Sequence, residues 1–76
     1  MHKKDILKEF GRNLKAERNR AGFSQEGLAE KVGLGFGQHI GKIERGETNT
    51  SLTVIAAIMD VLDIDFEKLY DRKKFF

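Results

Sequence analysis

Apolar residues recur at helical rather than strand spacing along the chain. Leu7, Phe10 and Leu14 fall within about 60° of one another around a helix and form one inward-facing stripe. No segment shows the strict alternation of apolar and polar residues that is typical of a half-buried strand. The pattern therefore predicts an all-α fold, with one domain over residues 1–76, a core over about 6–70 and a tail at 71–76.

Residues that start and stop helices divide the first part of the chain into two helical segments. The first runs over about residues 4–20 and ends before Gly22, because glycine suits the left-handed cap position. Ser24 is the predicted N-cap of a second helix over residues 25–32. Gly27 stands where a capping box would place Glu or Gln, which weakens this helix start by about 1 kcal/mol.

A turn rich in glycine, residues 33–37, leads to a third helix over residues 37–45. Ile40 and Ile43 share its inward face, and Gly46 marks its end. Such a pair of short helices joined by a glycine-containing turn is a device for entering the major groove of DNA.

Two further helices are predicted after this pair. The fourth starts from an N-cap at Ser51 and carries an apolar stripe of Leu52, Ile55, Ile58 and Leu62. The fifth is short, with Asp65 as its cap and with packing from the residues that follow, Phe66, Leu69 and Tyr70.

Composition narrows the class of protein. The chain has no Cys, so neither a disulfide nor a thiolate metal site holds its core. No stretch approaches the roughly 18 apolar residues of a membrane span, and the charged N-terminus is not followed by an apolar signal-peptide core. These features predict a cytoplasmic protein with no membrane association.

The net charge of +2 is too small to indicate nucleic acid by itself, but the charge is unevenly distributed. Residues 1–20 hold seven Lys or Arg against three Asp or Glu, whereas residues 21–50 hold three against four. Four basic side chains of the first helix gather on one face: Lys4, Lys8, Arg12 and Lys15. A localised basic patch of this kind is what contact with phosphate requires, although a solvated face is the simpler interpretation for each residue.

Several separated motifs together resemble the phage-repressor or Cro-like (XRE-type) helix-turn-helix family. They are Leu14-x-x-x-Arg18, Gly22-Phe23-Ser24-Gln25-Glu26-x-Leu28-Ala29, Ile43-Glu44-Arg45-Gly46, Asn49-x-Ser51-Leu52 and Leu62-x-Ile64-x-Phe66-Glu67-x-Leu69-Tyr70. The resemblance covers about residues 6–70 and implies a five-helix, lambda-repressor-like DNA-binding domain. It also implies a transcriptional regulator that binds double-stranded DNA, as many members do in dimeric form. A bare domain of this length resembles restriction–modification controllers, short repressors or antitoxin-type autoregulators.

The exposed polar residues of the third helix are the candidates for reading bases. Gln38 and Lys42 are i, i+4 neighbours and share a face. Gln can pair with adenine and Lys with guanine in the major groove. His39 is a further candidate for base or phosphate contact. A metal role is not indicated for it, since the only other histidine is His2 near the terminus.

The resemblance also implies four candidate phosphate contacts and one structural pair. Gln25 stands at the start of the second helix, while Arg45, Thr48 and Asn49 lie in or near the loop after the third. Arg18 and Glu44 resemble an ion pair that bridges the first and third helices and fixes the angle of the third. Phe36 is expected to pack in the core. Phe75 and Phe76 are expected either to form a dimer contact or to be disordered.

Three glycines set this chain apart from the family pattern. Gly35, Gly37 and Gly41 stand where members often carry Ser, Thr, Arg or Gln, and the segment from Gly33 to Ile40 is one residue longer. Glycine in a helix costs about 1 kcal/mol relative to alanine and offers no side chain to a base. The expectation is a third helix that is short, tilted or partly ordered only on binding.

Two functions follow from these observations. The leading hypothesis is a sequence-specific regulator that binds an inverted-repeat operator as a homodimer, without a cofactor. The alternative is a protein-interaction module, such as an antitoxin-type partner, which uses the same fold and binds DNA weakly. An enzyme is not indicated, because no catalytic set of residues exists and the run Gly33-x-Gly35-x-Gly37 does not match a nucleotide-binding loop.

Overall fold

Four α-helices account for most of the chain in the computed structural model, which describes residues 2–34 and 37–74. They are α1 (Lys3–Arg20), α2 (Gln25–Lys31), α3 (Gly37–Glu44) and α4 (Leu52–Leu62). Two single 3-10 turns follow at Phe66–Lys68 and Arg72–Lys74, and there is no strand among the described residues. The all-α prediction is therefore confirmed.

The predicted helix boundaries rest on local signals that the structure reproduces. The hydroxyl oxygen of Ser24 accepts a hydrogen bond from the Gly27 amide at 2.9 Å and caps α2. Ser51 caps α4 in the same way through the Val54 amide, at 3.2 Å. Gly22 ends α1 with a φ of +83°, a conformation that glycine adopts without strain.

The predicted count of five helices is not confirmed. Asp65 makes no side-chain cap bond, and the segment after it forms a single 3-10 turn rather than an α-helix. Leu69 is fully buried as expected, but Phe66 is 43% exposed. A three-residue turn can direct only part of its apolar surface inward, so Phe66 packs near Phe10 but remains partly exposed.

All four helices supply the hydrophobic core. Its buried side chains are Phe10, Leu14, Leu28, Ala29, Ile40, Ile43, Ile58, Leu62 and Leu69. Leu7, expected in the inward stripe of α1, is only half-buried. Leu52, expected in the stripe of α4, is 80% exposed.

Glycine permits the close contact between α1 and α3. A Cβ added at Gly11 would stand 2.3 Å from the Ile43 carbonyl oxygen and 2.5 Å from that of Glu44. Since real Cβ atoms do not approach that closely, the end of α3 can rest on α1 only because position 11 has no side chain. Gly11 thus helps to set the position of the predicted recognition helix.

Some sequence expectations fall outside the described residues. They concern Gly35, Phe36, Phe75, Phe76 and the side chain of Lys4.

Candidate nucleic-acid interface

The outward face of α3 brings together the three candidate base-reading side chains. Gln38, His39 and Lys42 are exposed, and with Leu34 they line a shallow depression of about 140 Å³. The opposite face of the helix is buried through Ile40 and Ile43. One side of α3 therefore anchors the helix in the core, and the other presents an amide, an imidazole and an ammonium group.

Two of the three unusual glycines of this region, Gly37 and Gly41, are covered by neighbouring residues. Gly37 and Gly41 are both buried, and the helix between them is regular. A Cβ on Gly37 would stand 2.8 Å from the Glu26 backbone nitrogen. Gly37 thus permits the close approach of α3 to the start of α2.

A buried ion pair joins α1 to α3. Arg18 donates from Nε to Glu44 Oε2 at 2.6 Å and from Nη2 to Glu44 Oε1 at 3.1 Å. The two side chains are only 9% and 3% exposed. Arg18 also donates to the Phe23 carbonyl oxygen at 2.9 Å. Two parallel charge-assisted bonds restrict both groups, and so they hold the end of α3 in a fixed orientation.

Gln25 has a structural contact that the sequence did not indicate. Its Nε2 donates to Glu44 Oε1 at 3.0 Å, and the residue is half-buried. A Cβ on Gly41 would lie 3.4 Å from that nitrogen, so the absence of a side chain at Gly41 leaves room for the amide. Gln25 therefore joins α2 to the same carboxylate that Arg18 holds.

Arg45 directly follows α3 and pairs with the loop after it. Its Nε donates to Glu47 Oε2 at 2.9 Å and its Nη2 to Glu47 Oε1 at 3.2 Å. The hydrogen bond from Arg45 lowers the pKa of the Glu47 carboxyl, helped by the charges of Arg45 and Lys42. The same hydrogen bond raises the pKa of Arg45.

Thr48 and Asn49, the two candidates in the loop after α3, lie apart from the exposed face of α3. Thr48 is half-buried and donates from its hydroxyl to the Asn49 carbonyl oxygen at 3.1 Å. Both residues line a cleft of about 310 Å³ beside Leu7 and Phe10 of α1, rather than the depression on α3. The structure therefore groups Gln38, His39 and Lys42 but separates Thr48 and Asn49 from them.

The basic face of α1 is not uniform. Arg12 forms an ion pair with the buried carboxylate of Glu9, whereas Lys8 and Lys15 are exposed. A Cβ on Gly46 would stand 3.0 Å from the Lys8 Cα, so Lys8 lies against the loop that follows α3. Of Lys8, Arg12 and Lys15, it is Lys8 that lies beside the loop after α3, which helical spacing alone did not indicate.

Neither a metal-binding cluster nor a membrane-spanning helix is found among the described residues. No cluster of three or more His, Asp or Glu side chains within residues 2–34 and 37–74 could hold a metal ion. In that part of the chain, no helix combines the length and the apolar character needed to cross a membrane.

An exposed polar face on α3, supported by α2 and locked to α1, defines a helix-turn-helix DNA-binding protein. The chain belongs to the XRE-type Helix-turn-helix family, whose model matches residues 14–69. It is a transcriptional regulator of that family, and its relatives are regulators rather than enzymes.

Individual relatives extend over nearly the whole chain. An uncharacterised HTH-type transcriptional regulator of Bacillus subtilis, YazB, is 35% identical over 65 residues, which are 86% of this chain and 93% of the relative. The control protein C.SmaI of Serratia marcescens is 37% identical over 69 residues, 91% of this chain and 81% of the relative. The crystal structure of the restriction–modification controller protein C.AhdI from Aeromonas hydrophila matches with a TM-score of 0.77 and 39% identity. That match covers 87% of this chain and 97% of C.AhdI.

Proposed function

We propose that this protein binds double-stranded DNA sequence-specifically as a homodimer on an inverted repeat, as a controller-type transcriptional regulator. The observation that carries the proposal is the grouping of Gln38, His39 and Lys42 on the exposed face of a helix whose other face is buried. A regulator of this kind acts where the DNA is, so we propose a cytoplasmic location. The similarity to C.SmaI and C.AhdI supports the controller assignment.

In the proposed complex α3 enters the major groove. Gln38 and Lys42 contact base edges, since their amide and ammonium groups match adenine and guanine there. His39 contacts a base or a phosphate. The arrangement supports this because all three side chains are exposed on one helix face.

Phosphate contacts set the register of the proposed complex. Arg45 is the strongest candidate, because it is charged, 56% exposed and directly follows α3. Gln25 contributes less than expected from the sequence, since its amide nitrogen already donates to Glu44. Thr48 and Asn49 contribute to phosphate contact mainly through the position of their loop after α3. Lys8 adds a positive charge beside that loop.

Selection from a random duplex pool tests the reading function. The selected duplex should be an inverted repeat, and its affinity should fall steeply with salt while a sequence preference remains. Gln38→Ala and Lys42→Ala should each weaken binding to the selected duplex by about 1–3 kcal/mol, measured by anisotropy. Lys68→Ala is the control, because Lys68 is exposed and lies in the 3-10 turn beyond α4. Weak binding with no preferred sequence would contradict the proposal and favour a protein partner.

The exposed apolar surface supports the homodimer. Leu52 and Phe66, 80% and 43% exposed, line a cleft of about 530 Å³ together with Ile55, Ala56 and Met59. A two-fold axis brings the same patch of each copy together, so a projecting leucine beside an apolar cleft can match itself. We propose this α4 surface as the contact between two copies.

Leu52→Lys tests this contact by sedimentation. Because Leu52 is exposed in one copy, the substitution leaves the fold intact, while loss of its burial should weaken dimerisation about tenfold or more. Thr53→Lys is the control, since Thr53 is exposed and does not line the cleft. A wild-type protein that remains monomeric at high concentration, or equal effects of the two variants, would contradict the proposed contact.

A further inference from the structure

Glu47 holds Arg45 by the two donors that a phosphate group would use. The carboxylate accepts from Nε at 2.9 Å and from Nη2 at 3.2 Å, one oxygen for each nitrogen. Arginine binds phosphate through the same planar pair of donors, and a phosphate offers two anionic oxygens in similar positions. The carboxylate and a DNA phosphate would therefore compete for one site on the guanidinium.

The position of this pair places the competition at the proposed interface. Arg45 and Glu47 are 56% and 52% exposed and follow the last turn of α3. The Arg45 Nη1 lies 3.0 Å from where a Cβ on Gly41 would stand, so the guanidinium lies back over α3. The charge of Lys42, a candidate base-reading residue, also acts on the Glu47 carboxylate.

We infer that Glu47 lowers the affinity of the protein for DNA of any sequence by occupying Arg45 until a phosphate displaces it. The inference rests on the proposed DNA-binding function. It assigns to Glu47 a role in phosphate contact and none in base reading, because in the proposed complex Arg45 contacts the backbone of DNA and not its bases. Glu47 thus limits sequence-independent binding, which depends on phosphate contacts.

Glu47→Gln tests the inference on two duplexes, the selected one and a random one, over a series of salt concentrations. The variant should bind both about two- to fivefold more tightly, as expected for release of an exposed ion pair, and their affinity ratio should not change. The dependence of log K on log salt should change by clearly less than one, because a phosphate displaces Glu47 in the wild-type complex and both proteins then make the same number of phosphate contacts.

A matched control separates this contact from the change in net charge. Asp63→Asn removes the same charge at the exposed end of α4, where Asp63 has a φ of +53° that asparagine also tolerates. The control should gain clearly less affinity than Glu47→Gln. Equal gains would overturn the inference, since the effect would then come from net charge alone.

A double-mutant cycle with Arg45→Ala gives the decisive comparison. In that background Glu47→Gln should gain no more affinity than Asp63→Asn, because the side chain that it releases is gone. A gain that persists without Arg45 would overturn the inference. The cycle can be measured on random duplex, so the role of Glu47 is tested even if no operator is selected. A failure to select an operator would contradict only the proposed sequence-specific binding. A wild-type protein that binds no duplex at all would contradict both the proposed DNA-binding function and the inference about Glu47.

Discussion

Glu44 is the residue on which the orientation of α3 most depends. Its two carboxylate oxygens accept hydrogen bonds from Arg18 of α1 and Gln25 of α2, so one side chain ties three helices together. Because the carboxylate is 3% exposed, removing its charge leaves the Arg18 guanidinium buried without a counter-charge. Stability and the position of the reading helix therefore depend on the same contact.

We expect Glu44→Gln to lower the free energy of unfolding by about 3–5 kcal/mol, the cost of breaking a buried ion pair from one side. Urea unfolding followed by circular dichroism measures the change. Glu67→Gln is the matched control, since it makes the same chemical change at an exposed residue and should alter stability little. A loss as small as that of the control would show that the Arg18–Glu44 pair does not hold the helices together.

Arg45 should control the ionisation of Glu47. The Arg45 hydrogen bond lowers the pKa of this carboxyl, so Arg45→Ala should raise that pKa towards its ordinary value, measured by an NMR titration of the carboxyl carbon. A lowered pKa in the folded state favours folding above the ordinary carboxyl pKa, and this contribution disappears as pH falls through the lowered value. Lys42→Ala should raise the pKa less, because Lys42 acts through charge alone. An unchanged pKa in Arg45→Ala would contradict the pairing seen here.

At the scale of helices, the glycines of this chain differ in what surrounds them. Gly37 faces the backbone of Glu26 at 2.8 Å, which cannot move without separating α2 from α3. Gly41 faces the far ends of Arg45 and Gln25, at 3.0 and 3.4 Å from the added Cβ, and these flexible side chains can shift. The same substitution should therefore have opposite effects at the two positions.

Gly37→Ala should destabilise the fold, since overpacking against fixed backbone costs about 1–3 kcal/mol. Gly41→Ala should instead stabilise it by up to about 1 kcal/mol, because alanine favours the helix and the neighbouring side chains can move aside. Thermal unfolding of the two variants checks both signs. A loss of stability in Gly41→Ala comparable to that in Gly37→Ala would show that Arg45 and Gln25 are not free to shift.

The contrast between these glycines also explains how far the sequence alone could predict the molecule. Local signals were sufficient for the four α-helices, because the caps at Ser24 and Ser51 and the stop at Gly22 act within a few residues. The prediction of a fifth helix was wrong because a cap residue at Asp65 does not ensure that a full helical segment follows it. Helix propensity alone predicts that a glycine destabilises its helix. The close packing that Gly37 permits depends on Glu26, eleven positions away in the chain.

The candidate site follows the same division. Helical spacing was enough to predict that Gln38 and Lys42 share an exposed face, and the structure places His39 beside them. Helical spacing could not indicate that Gln25 donates to Glu44, nor that Lys8 lies against Gly46, because both contacts join segments far apart in the chain. Side chains that serve long-range contacts are thus the ones that motif spacing assigns least well.

At the scale of the whole molecule, the proposed two-fold dimer fixes the spacing of its DNA sites. A two-fold dimer that reads an inverted repeat requires its two α3 helices to lie about one helical turn of DNA apart, roughly 34–36 Å. Because the protein contact and the DNA helix both set this distance, the two half-sites must face the same side of the duplex.

Operators with altered spacing test that geometry. With half-site centres about 10 bp apart, both copies should bind together, whereas an insertion of about 5 bp turns one half-site to the opposite side of the duplex. We expect the affinity measured by anisotropy to fall to that of a duplex with a single half-site, because only one copy can then contact bases. Leu52→Lys should lose less affinity than wild type on the insertion, since the contact that joins its two copies is weakened. An unchanged wild-type affinity after the insertion would instead mean that the copies bind independently of each other and that the symmetric dimer is wrong.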